Sequence, residues 1–113
     1  MTTDKITLYR RSENLQLENK LENCLDALTD LYTALEYHNK ARKNYQYAGL
    51  YADIERIGNK SLFLDNSKNN FKLYESLIKE AKMVLSQYLQ YVDKRTREGK
   101  LISAKAEEIL RAY

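Results

Sequence analysis

The strongest signal in the chain is the spacing of its apolar positions. Leu17, Leu21, Cys24, Leu28, Leu31, Leu35 and His38 follow one another at intervals of 4, 3, 4, 3, 4 and 3. That is an a/d heptad seam, which lies along one side of an α-helix. Leu25 and Tyr32 widen the seam on one flank, and Ala27 and Ala34 on the other. The stripe is broader than a two-stranded coiled coil needs and suits a helix with two neighbours in a bundle. It predicts a helix over 12–38, with Ser12 as its N-cap and Glu13 in its first turn.

The phase then breaks. Continuing the seam would put Arg42, Tyr45 and Gly49 in the core, whereas the next apolar series is Tyr47, Leu50, Ile54 and Ile57. The polar stretch 39–44 falls at the break and reads either as a helix–helix corner or as a bend in one continuous helix. A second helix is expected over 43–58, stopped by Gly58 and Asn59. Leu62, Phe63 and Leu64 suggest a short connection that tucks apolar groups onto the bundle end. A third helix is expected over 67–98 from Phe71, Tyr74, Ile78, Ala81, Leu85, Tyr88 and Val92, with Gly99 as its stop. Such a helix would be about 45 Å long. A short last helix, 103–113, would be capped by Ser103 and would bury Ala106, Ile109, Leu110 and Tyr113.

Composition narrows the class further. The 113 residues hold 17 leucines, two valines, three glycines and no proline. This disfavours parallel sheets, which are rich in β-branched residues, and turn-dense β-sandwiches. The expected fold is therefore all-α: an elongated antiparallel three-helix bundle with a short fourth C-terminal helix, in one domain spanning 1–113. A single cysteine excludes an intrachain disulfide. There is no apolar stretch long enough to cross a membrane and no apolar leader near Met1, so a cytoplasmic protein with no membrane partner is expected.

Charge matters through its distribution. The net value is only +3. Lys40, Arg42 and Lys43 form one basic cluster, and Lys94, Arg95, Arg97 and Lys100 form another. An up-down-up bundle would bring both to the same end, tempered by Asp93 and Glu98. With Tyr45, Tyr47 and Tyr91 nearby, that end could bind a phosphate backbone, an acidic protein, or only solvent. Glu18, Glu22, Asp26 and Asp30 recur every four residues and form an acidic row. This row reads as a solvated face or as a docking strip for a basic partner or a second copy's lysines.

Candidate chemistry is sparse. His38 is the only histidine, and the residues after it depart from the pattern of a phosphotransfer site, leaving that as a minor alternative. Cys24 is expected to be a buried, inert thiol. No catalytic residue, metal site or cofactor is predicted: there is no glycine-rich phosphate loop, nucleophile elbow or metal-spaced cluster. Ten tyrosines without a tryptophan favour contact surfaces, and Tyr37, Tyr45, Tyr47 and Tyr91 are the candidate interface aromatics. The expected function is non-enzymatic protein binding, as a small adaptor, inhibitor or assembly factor that could form a homodimer or derive from a mobile element. Nucleic-acid binding through the basic end is the alternative. In size and composition the chain is similar to small four-helix immunity proteins and to small phage or plasmid regulators, without motif residues of either.

Overall fold

The structure, a computed structural model, describes the backbone of residues 2–40, 46–62, 64 and 71–113, and the side chains of 15–37, 46–62, 64 and 71–113. It contains four helices: α1 (Thr2–Lys40), α2 (Ala48–Leu62), α3 (Phe71–Leu89) and α4 (Arg97–Ala112). The described residues form no strand.

The chain direction alternates from helix to helix. Burial and then the nearby Glu18 charge raise Tyr74, and burial raises Cys24 against the nearby Lys82 charge, so these pairs are neighbours and α1 and α3 run parallel. Arg56 of α2 reaches Glu80 of α3 at 2.8 Å, and Gly49 sits under Tyr88, so α2 runs down α3. The α4 helix runs down α1: Lys105 faces Asp30 at 3.4 Å, and the Asn23 amide donates to the Tyr113 hydroxyl at 2.8 Å. The helices α1 and α3 form the central pair, and α2 and α4 pack on opposite sides of it without touching each other.

The two long seams account for this arrangement. Leu21, Cys24, Leu28, Leu31 and Leu35 of α1 are buried, as are Tyr74, Ile78, Ala81, Leu85 and Tyr88 of α3. Leu50 and Ile57 fill the α2 side, while Ala106 and Ile109 fill the α4 side. Glu80 ties α2 to α3 by accepting from Arg56, with Lys60 at 3.8 Å.

Several expected boundaries move. The α1 helix begins at Thr2, so Ser12 is within it, and α1 and α2 are separate antiparallel elements with Tyr32 against Tyr47 and Tyr51. The stop expected at Gly58 and Asn59 does not occur, because α2 runs on to Leu62. The expected helix over 67–98 is divided. It ends at Leu89, where Tyr91 and Val92 donate to the carbonyls of Tyr88 and Leu89 and tighten the last turn. The Asp93 carboxylate then accepts from the backbone N–H of Arg95 at 3.0 Å. Local bonds of this kind compete with helix continuation.

Thr96, not Ser103, caps the last helix, accepting from the Gly99 N–H at 2.9 Å. Gly99 therefore lies in the first turn of α4, and Ser103 is buried in mid-helix. At 16 residues, α4 slightly exceeds α2 in length, so a three-helix core with a short fourth helix understates it. The expectation of an elongated molecule came from the third helix, but the length comes from the 39 residues of α1. The principal extents are 62 × 23 × 16 Å and the radius of gyration is 16.4 Å, against about 13 Å for a compact domain of this size.

Candidate functional site

Two grooves border α4, and their linings carry opposite charge. The first lies at its C-terminal end, where α4 stops and leaves the valley between α1 and α3 uncovered. It has a volume of about 630 Å³, within the range of a small-ligand or side-chain pocket. Leu17, Ile78, Met83 and Tyr113 supply its apolar surface, and Lys20, Lys79 and Lys82 its charge, against the single carboxylate of Glu75. Lys20 sits 5.6 Å from the centre of the Tyr113 ring, a cation–π distance. Among the described residues, none of the three lysines makes an ion pair. Met83 is 65% exposed although it is a large apolar side chain.

The second groove, about 380 Å³, runs between α1 and the first turns of α4. Ala34, Tyr37, Leu101 and Ile102 give it apolar walls, and Asp30 and Glu98 make it acidic. Tyr37 is 77% exposed and Leu101 63%. Lys105 holds Asp30 at 3.4 Å, yet the Asp30 side chain keeps 59% of its exposure.

Of the basic clusters expected at one end, the side chains of only the second fall among the described residues. The backbone of Lys40 closes α1 at the end where α4 begins, as the alternating topology requires. Its side chain lies outside the described residues, as do Arg42, Lys43 and Tyr45. Within the second cluster, Arg95 is bound to Asp93 at 3.1 Å, and that carboxylate raises its titration. Lys94 lies 3.9 Å from Glu107. Arg97 and Lys100 are exposed in the first turn of α4.

The acidic row is divided in role. Glu22 and Asp26 face solvent, Glu18 is half-buried near Tyr74, and Asp30 belongs to the second groove. Of the candidate interface aromatics, Tyr37 is on the surface. Tyr47 is a correction: it is 6% exposed, packed edge-on against Tyr32 at 5.8 Å, and so belongs to the core. Tyr91 is half-buried with its ring 6.1 Å from that of Tyr88. The side chain of His38 lies outside the described residues.

Cys24 is fully buried, and desolvation pushes its thiol up to about 11, with the Lys82 charge pulling the other way. A thiol so placed is a poor nucleophile at neutral pH. No helix among the described residues is long and apolar enough to cross a membrane. The sequence singled out neither groove, because each draws on residues far apart in the chain. The chain matches no known family model, no curated protein and no solved structure at a significant level.

Proposed function

We propose that the protein is a non-enzymatic helical module that binds another protein, in the manner of a small adaptor, inhibitor or assembly factor. The observation that supports this most is the lysine-rimmed groove beyond the end of α4, where Met83 and Tyr113 sit beside three lysines that make no ion pair among the described residues. An apolar floor supplies the driving force for association, and a ring of one charge selects the partner.

A photo-crosslinking residue at Met83, introduced in the native cell, tests the reading. A covalent adduct with a polypeptide is expected from Met83 and not from a control at Asn59, which is exposed on α2. If Met83 yields no more adduct than Asn59, the reading fails.

A second reading, nucleic-acid binding, draws support from Arg97 and Lys100 on the exposed first turn of α4. It predicts an affinity for random DNA or RNA that falls steeply with salt and is lost on Lys94→Glu with Arg97→Glu. Absence of binding at about 50 mM salt removes it, since that condition favours phosphate contacts.

A further inference from the structure

We infer that the two grooves are the two halves of one interface, and that the partner is a second copy of this chain. The inference rests on the binding-module reading and names its partner.

The grooves are complementary in charge and alike in apolar character. One presents Lys20, Lys79 and Lys82, the other Asp30 and Glu98. Of the seven large hydrophobic side chains left exposed among the described residues, three lie in these grooves: Met83 in the basic one, Tyr37 and Leu101 in the acidic one. Scattered exposed apolar groups are ordinary, but a concentration of them in charged grooves marks a contact surface.

Both grooves border α4, one at its C-terminal end and the other along its first turns, so about 20 Å of helix separates them. In the proposed dimer the basic groove of one copy meets the acidic groove of the other across a two-fold axis. The same rotation forms the reciprocal pair, so the contact is isologous and closes at two chains. Each copy then meets the other's charges twice, while Met83, Tyr37 and Leu101 are covered. The partner's Asp30 and Glu98 add countercharge to three lysines that share only Glu75 within their own groove.

Sedimentation equilibrium on the full chain tests this. A dimer is expected to appear between about 10 and 500 µM, the range of a modest interface. The double variants Lys79→Glu with Lys82→Glu, and Asp30→Lys with Glu98→Lys, change exposed or half-buried groove residues. Each alone is expected to weaken the dimer at least tenfold. An equimolar mixture of the two is expected to restore it, because every groove then meets its opposite. Circular dichroism melts establish that each variant is folded. Independently of any variant, the wild-type dissociation constant should rise at least tenfold between about 50 and 500 mM salt.

A wild-type monomer at about 500 µM, a salt-insensitive dimer, or folded variants that dimerise normally or fail to complement would each overturn the inference. A monomer whose Met83 crosslinker still captures a different polypeptide would remove the second copy and leave the binding module standing.

Discussion

The hydroxyl of Tyr88 occupies the space that a β-carbon on residue 49 would need: the two would be 2.6 Å apart. Tyr88 is buried, so its ring has little freedom to retreat. Alanine at position 49 would gain at most about 1 kcal/mol of helix propensity, against about 1–3 kcal/mol for overpacking. Gly49→Ala is therefore expected to destabilise the protein by about 1 kcal/mol. In a Tyr88→Phe background the obstructing oxygen is gone, and the same change should be neutral or stabilising. Urea unfolding of the four proteins measures the coupling, and additivity between the two sites would disprove the contact.

The other two glycines are expected to respond in opposite directions. A β-carbon at Gly58 meets nothing within 4 Å, and the residue lies inside α2. Gly58→Ala should stabilise by about 0.5–1 kcal/mol through helix propensity and the stiffer unfolded chain. At Gly99 a β-carbon would overlap the Asp93 carbonyl and come within 2.8 Å of Thr96 Oγ1. These atoms belong to the cap of α4 and cannot yield without breaking it. Gly99→Ala should cost about 2 kcal/mol or more, and Thr96→Ala, which removes the cap acceptor, about 1 kcal/mol. Thermal melts at equal concentration give the ranking, and a stabilised Gly99→Ala protein would refute this account of the cap.

These glycines also show what the sequence conveyed and what it did not. The seams from Leu21 to Leu35 and from Tyr74 to Tyr88 were legible because a 3–4 spacing leaves a helix one face to bury. The stop read at Gly58 failed because a glycine costs a helix only about 1 kcal/mol, which packing easily offsets, and the one at Gly99 because the third helix had already ended at Leu89. The break after Leu89 was hidden because Val92 still packs against the core once the helix has ended. Its signal was polar: Asp93 and Thr96, three residues apart, bond the local backbone. The grooves were illegible for a different reason. Lys20, Lys79 and Lys82 look like isolated surface lysines until α1 and α3 lie side by side. The conspicuous cluster at 94–100 already contains internal partners in Asp93 and Glu107.

Ser103 carries a buried hydroxyl with no hydrogen-bond partner among the described residues. An unpaired buried polar group forfeits its hydration without compensation. Its small size still lets the buried face of α4, which includes Gly99 and Ala106, lie close to the core. Ser103→Ala keeps that size and removes the penalty, so a gain of about 0.5–1 kcal/mol is expected from chemical denaturation. Ser103→Val, which adds volume at the same point, should instead destabilise by about 1–3 kcal/mol. If Ser103→Ala proved destabilising, the hydroxyl would have to be bonded in solution.

Cys24 sets a further limit on stability at alkaline pH. Its thiol has an ordinary value of 9.0 and is pushed up to about 11 by burial. The folded protein thus holds this proton more tightly than the unfolded chain does. The resulting stabilisation is complete below pH 9.0 and is lost as the pH rises through about 11. A shift of this size corresponds to a loss on the order of 2 kcal/mol. Desolvation also raises Tyr74 and Tyr88 from their ordinary 10.0, so they add to the decline from pH 10.0 upward. Cys24→Ala leaves a small cavity and lowers stability at neutral pH, but it should flatten the part of the curve between pH 9 and 11. The difference in urea midpoint between wild type and Cys24→Ala across that window isolates the thiol, because the tyrosines contribute to both proteins. The same burial predicts that a thiol reagent at pH 8 leaves folded protein unmodified and labels one group per chain once urea unfolds it. Rapid labelling without denaturant would show that the α1–α3 seam opens at Cys24.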